Sequence, residues 1–275
     1  MTRGARLRRL GRAGRAVAAW LVVFALMLPF VWMVLGSFKS ARDFLSYPPV
    51  WLFRPTLDNY AEVFADNAFP RYVLNSTIVA AGATAIGLVL GVPAAHALAR
   101  WRRNAIGVVL LAARMAPGIA FLIPLFVACL ELHLVGGYTS LIASHLIFTL
   151  PLAVWMMVGF IEAVPVELEQ AALIDGCSVL GALLRIVVPL TRQGIAATAI
   201  LAFIASWNNF LFALVLSNDA TKTLPVAVLG YIGYNSIQWG PLMAAASVIT
   251  LPVMVLALCV QRYIVRGLVS GAVTG

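Results

Sequence analysis

The stretch AVAAWLVVFALMLPFVWMVLGSF, residues 16–38, runs for 23 positions without one charged side chain. As a helix rising about 1.5 Å per residue it extends roughly 35 Å, enough for a tilted crossing of a bilayer. Six arginines precede it: Arg3, Arg6, Arg8, Arg9, Arg12 and Arg15. A basic segment before an apolar one also describes a signal peptide. This run is too long for a typical signal core, and no small-x-small cleavage site follows it. It reads as an uncleaved membrane anchor.

Working outward, the same reading recurs. Of the 275 residues, 63% are hydrophobic and 11% charged, where a soluble domain carries roughly 25% charged residues. Further apolar runs fall at about 72–98, 105–130, 139–161, 195–216 and 242–264, the one at 105–130 interrupted by Pro117, Gly118 and Pro124. The expected fold is all-α: a polytopic bundle of six transmembrane helices with both termini in the cytoplasm. Residues 1–15 form a basic N-terminus, 16–264 the transmembrane domain, and 265–275 a cytoplasmic tail. Glycine, alanine, serine and threonine crowd the second run, which suits close helix packing.

The net charge of +9 reports topology. Thirteen of the 19 basic residues lie before the first run, at 100–103, at 185 and 192, or at 262 and 266, on one alternating side of the spans. Acidic residues largely balance the lysines and arginines of the remaining loops. This is positive-inside bias, and nucleic acid is not needed to explain it. Cys129, Cys177 and Cys259 have neither disulfide nor zinc spacing. His96, His133 and His145 are scattered and read as helix-packing or interfacial residues. No phosphate-binding G-x-x-x-x-G-K-[ST] loop and no nucleophile elbow occurs, so the chain by itself carries no visible means of hydrolysing ATP.

The loop at 162–194 has a helical pattern of its own. In PVELEQAALIDG (165–176), Pro165 suits the first helical position and Glu167 and Glu169 suit the positive end of the helix dipole. Ala171 and Ala172 keep one face thin, and Gly176 can take the left-handed conformation that ends a helix. Asp175 or Ser178 then caps a second helix running through Arg185 to Pro189. A thin-faced surface helix can dock in a partner's groove; an amphipathic helix can equally lie on lipid headgroups. Both remain open on the residues alone.

This stretch resembles the EAA loop of binding-protein-dependent ABC importer permeases. Its company narrows the resemblance to the carbohydrate type, the second permease of maltose-like systems. Asn75-Ser76, AHALAR (95–100), IPL (123–125), PVELEQAALIDGCS (165–178), VPL (188–190), FIASWNNF (203–210), TLP (223–225) and QRYIVRGLVSGA (261–272) occur in that order. The resemblance implies that the loop carries a coupling helix inserted into a cleft of a cytoplasmic ATPase. The matching positions are Glu169, Gln170, Ala171, Ala172, Asp175 and Gly176. It also implies a second permease, two ATPase copies, an extracytoplasmic solute-binding protein, and a lipid surround. No cofactor is expected on this chain; ATP and Mg belong to the partner ATPase. Three departures stand out: Gln170 where the family usually has Glu, Gln193 where a proline often stands, and a tail, Gly271 to Gly275, without its usual lysine.

For a substrate route, Arg114 is the first candidate, because a cation within a span usually faces a cavity or a partner. It can equally snorkel or pair structurally. Asn75, Trp207, Asn208 and Asn209 come next: amides donate and accept, and an indole offers a flat face, which suits sugars. The same amides can glue helices together at about 0.6 kcal/mol each. The expected function is the permease subunit of an ATP-driven importer of a sugar or related polyol, glycerol phosphates included. A stand-alone gradient-driven transporter is the alternative; such proteins usually show two matching interrupted halves, and none is evident.

Overall fold

The computed structural model describes residues 3–65, 68–101, 116–233 and 236–271. Among these the backbone is helical, with one isolated β-bridge between Ile232 and Ile237. Contacts divide the chain into two units.

The first unit comprises residues 1–66 and 230–248. Its long helix α1 (Arg3–Ser37) leaves the apolar side chains from Val17 to Val31 exposed. That surface needs lipid or another chain to cover it. Two buried polar residues fold the segment after α1. Lys39 donates to Val50 O at 2.7 Å and lies over the rings of Trp32 and Phe53, at 4.9 and 5.1 Å. Asn59, in α3 (Asp58–Ala65), donates to the carbonyls of Ser37 and Lys39, each at 2.8 Å. A Cβ on Gly240 would lie 2.2 Å from Asn59 Oδ1, so only glycine admits this clamp. Between them, α2 (Ala41–Leu45) starts on Ser40, whose hydroxyl accepts from Asp43 N–H.

The second unit comprises residues 67–229 and 249–275. It contains α4 (Phe69–Trp101), α5 (Gly118–Glu131), α6 (Tyr138–Glu162), α7 (Val166–Ile174), α8 (Val179–Leu190), α9 (Arg192–Trp207), α10 (Leu211–Leu216) and α11 (Leu224–Ala227). The last helix, α12 (Trp239–Gly271), contributes to both units. The glycines of α4 explain its packing. Gly82 faces Ile142, Gly87 faces Thr149, and Gly91 faces Ala153. Contacts that advance together along both sequences mean that α4 and α6 run parallel. A Cβ on Gly91 would come within 2.9 Å of Ala153 Cβ, so the small residues are what allow this approach. Apolar clusters fill the two ends of the unit. Val79, Cys129, Leu141, Phe212 and Leu216 lie at one end. Val92, Met157, Ile161, Leu183 and Val187 lie at the other, beside α7.

Four described helices have stretches long and apolar enough to cross a membrane: Gly14–Ser37, Phe69–Trp101, Tyr138–Glu162 and Trp239–Gln261. The expected run at 195–216 is two helices, α9 and α10, separated at Asn208–Phe210. Asn209 Oδ1 accepts from Phe212 N–H at 3.3 Å and so starts α10 without a glycine or proline to announce the break. Pro117 stands at the N-cap of α5, and Pro124 lies inside that helix. Pro165 stands one position before the first helical residue of α7, as its N-cap. Residues 102–115, with Arg114 among them, lie outside the described residues.

Candidate functional site

The candidate site is α7 and the turn that follows it. After Pro165 the chain takes up nine helical residues, with Glu167 and Glu169 in the first turn. The helix ends on a complete Schellman motif. Asp175 is the C-cap, Gly176 N–H reaches Leu173 O at 3.1 Å, and Cys177 N–H reaches Ala172 O at 2.9 Å. Gly176 sits at φ +89°, the left-handed region that the motif requires and glycine supplies. Ser178 then caps α8, its hydroxyl accepting from Gly181 N–H at 3.1 Å. The turn is thus held by its own backbone hydrogen bonds and the Ser178 side chain.

The two faces of α7 differ. Glu169 (6% exposed) and Ala172 point into the chain; Gln170, Ala171, Asp175 and Gly176 are exposed, and so is Ile174, at 86%. Opposite Glu169 stand two residues of the last turns of α4, one helical turn apart. His96 Nε2 lies 2.7 Å from Glu169 Oε2. Arg100 Nε donates to Glu169 Oε1 at 2.8 Å, and its Nη2 also meets that oxygen. The same Nη2 donates to Val164 O at 3.0 Å, in the short joint between α6 and α7. Burial alone would push the Glu169 carboxyl up. The hydrogen bonds from Arg100 and His96, with the positive charge of Arg100, outweigh it and hold the carboxyl below its ordinary value. Beside this triad a pocket of about 530 Å³ is lined by Arg100, Glu162, Pro165 and Glu167, among others.

The described candidates within the bundle, Asn75, Trp207, Asn208 and Asn209, do not converge on one cavity. Asn75 is fully buried and saturated: its amide donates to Ala220 O at 2.9 Å and Lys222 O at 2.8 Å, and its carbonyl accepts from Tyr138 Oη at 2.6 Å. It pins the loop after α10 onto α4 and α6. Trp207 is buried, stacks on Phe203, and donates to Ile249 O at 3.2 Å. Asn209 starts α10. Asn208 caps α9, and its side chain is exposed. His145, expected as a packing residue, is buried with Nδ1 2.7 Å from Ser206 Oγ.

Residues 87–270 match the family described as binding-protein-dependent transport system inner membrane component. The chain belongs to that family. It is similar to the sulfoquinovosyl glycerol transport system permease protein SmoH of Agrobacterium fabrum, 36% identical over 96% of this chain and 95% of the relative. It is 35% identical to the trehalose/maltose transport system permease protein MalG of Thermococcus litoralis, over 94% and 95% of the two chains. Its fold is similar to that of a bacterial ABC transporter involved in the import of the acidic polysaccharide alginate. There the TM-score is 0.76 at 22% identity, covering 96% and 98% of the two chains. The permease is accordingly a multi-pass transport subunit of the inner membrane.

In this permease the sequence motifs at 95–100 and 165–178 are one structure. In the sequence they stand as separate motifs, with His96 expected as a helix-packing or interfacial residue. The signal available was spacing: His96 and Arg100 are four apart, hence on one face of α4. What they face, Glu169, lies more than sixty residues further along the chain. Of the six positions matched to the coupling helix, four are exposed; the side chains of Glu169 and Ala172 serve the permease interior.

Proposed function

We propose that this chain is a permease subunit of an ATP-driven importer for a sugar or a related polyol, and that α7 is the helix through which a cytoplasmic ATPase moves it. The observation that carries the coupling role is the exposed face of α7. Gln170, Ala171, Ile174, Asp175 and Gly176 form a projecting, rigid end whose apolar members have no cover within the unit. Ile174 at 86% exposure marks a surface that a partner protein fits better than water does. The substrate class draws its support from relatives named for sulfoquinovosyl glycerol and for trehalose and maltose, each aligned over more than nine-tenths of this chain.

Six spans with cytoplasmic termini remain the best topology. Because α4 and α6 run parallel, the chain must recross between Trp101 and Tyr138, which supports a third span there. Helix α9, Arg192–Trp207, rises roughly 24 Å at about 1.5 Å per residue and, with α10 after the break, supplies a fifth. The working assembly then holds a second permease and two ATPase copies that bind ATP and Mg. A solute-binding protein stands on the other side; one solved relative of similar fold is a bacterial alginate ABC transporter in complex with an alginate pentasaccharide-bound periplasmic protein. Within the bundle, Arg114 and the exposed amide of Asn208 are the proposed contacts along the route, whereas Asn75, Trp207 and Asn209 hold helices and loops in place.

The test is affinity purification from native membranes in mild detergent, with mass spectrometry of what accompanies the chain. An ATPase and a second permease should be recovered, and both transport and ATPase recovery should be lost on Gly176→Pro, which removes the N–H bonded to Leu173 O. Recovery of the chain alone, still importing in ATP-free vesicles, would overturn the proposal.

A further inference from the structure

We infer that Arg100 and His96 are positioning residues that lock α7 to the end of α4, so that displacement of α7 is passed to the α4–α6 pair instead of being absorbed at the joint between α6 and α7. The inference rests on the coupling role proposed for α7.

The joint is short and non-helical: α6 ends at Glu162, Ala163 is its C-cap, and α7 begins at Val166. A nine-residue helix on such a joint is a lever with a pivot at its base. Little apolar packing holds it, since Leu168, Leu173 and Ile174 are exposed and only Ala172 is turned inward. The polar clasp therefore carries the attachment. Arg100 grips both sides of the pivot, Val164 O in the joint and Glu169 on α7, while His96 takes the second carboxylate oxygen. Arg100 and His96 in turn sit on α4, whose glycine seam fastens it to α6. Leu183 and Val187 of α8 pack with Val92, Met157 and Ile161 and anchor the far end of the arm to the α4–α6 platform; the clasp fastens α7 itself to that platform. A planar guanidinium suits this task because its fork fixes direction as well as distance.

The experiment uses the assembled importer in proteoliposomes, with ATP hydrolysis and import measured together as substrate moved per ATP. Arg100→Gln should assemble and hydrolyse ATP, yet move about 5-fold less substrate per ATP, the low end of ordinary coupling effects. Arg100→Lys, which retains the charge, should restore part of the loss. Import per ATP equal to wild type in Arg100→Gln would overturn the inference while leaving the coupling role intact. If Arg100→Gln fails to assemble, His96→Gln, which removes one bond and no fixed charge, is measured against the same wild-type ratio: a fall supports the clasp and an unchanged ratio overturns it. A wild-type chain that takes no ATPase would overturn both this inference and the function on which it rests.

Discussion

Gly176 separates two reasons for needing a glycine. Its φ of +89° disfavours any side chain with a Cβ, at a cost of roughly 1–2 kcal/mol for an ordinary L residue. Asparagine tolerates this region far better than alanine. Space within the permease is not the constraint, because a Cβ built at Gly176 meets nothing within 4 Å. Gly176→Ala should therefore lower the population of the turn relative to its alternatives by about 5- to 30-fold. Gly176→Asn should cost only a small part of that. The assay is ATPase capture by the immobilised permease, titrated to an apparent Kd, with amide exchange at Cys177 reporting the turn itself. The Gly176→Asn variant should bind nearly as wild type and the Gly176→Ala variant distinctly more weakly, in step with faster exchange. If both substitutions weaken capture equally while exchange at Cys177 stays slow, the glycine is needed for the approach of a partner, and the conformational argument is refuted.

Gly194 presents the opposite case, since a Cβ there would lie 2.3 Å from Phe160 Cγ. Gly194→Ala gains up to about 1 kcal/mol of helix propensity but meets an overpacking cost of about 1–3 kcal/mol, so a net loss of stability is expected. Thermal unfolding in detergent should show it, and the loss should shrink in a Phe160→Ala background, which removes the atoms that meet the new Cβ; strictly additive losses would refute the contact. Glu169 has a lowered folded value, so its contribution is complete above the ordinary carboxylate range, near ~4.3, and is lost only as pH falls below it. Acid-induced exchange of the α7 amides should set in below that range in wild type and lose this step in Glu169→Gln; the same acid step in the variant would refute the assignment.

Local chemistry made much of the fold readable. Uncharged runs announced α1, α4, α6 and α12, because lipid requires every backbone group to be satisfied within the helix. Gly176 and Ser178 announced the turn after α7, because each acts on neighbours within five residues. What was not readable depends on distance along the chain. Asn75 could equally have lined a route, and only the carbonyls of Ala220 and Lys222 identify it as a fastening. The break after Trp207 was hidden for a different reason. An asparagine side chain replaces a backbone acceptor there, and nothing in an apolar run advertises that use.

The inward turn of Glu169 also accounts for the substitution at Gln170. The resemblance leads to an expectation of adjacent acidic residues, of which this chain keeps one. The two positions face opposite ways: Gln170 is exposed and Glu169 is buried against Arg100 and His96. Within the permease itself, removing a charge from an exposed position forfeits at most an exposed pair, about 0–1 kcal/mol. Removing it from Glu169 would leave a part-buried guanidinium with Val164 O as its remaining contact, a loss that runs towards the roughly 3–5 kcal/mol of a broken buried pair. The carboxylate that this chain retains is the one whose loss costs more. The amide at Gln170 still donates and accepts, so the exposed face of α7 keeps its shape and its hydrogen-bonding capacity while giving up a charge. An ATPase matched to this permease should accordingly depend less on an ion pair at that position, and its capture should weaken less with added salt than that of a Gln170→Glu variant.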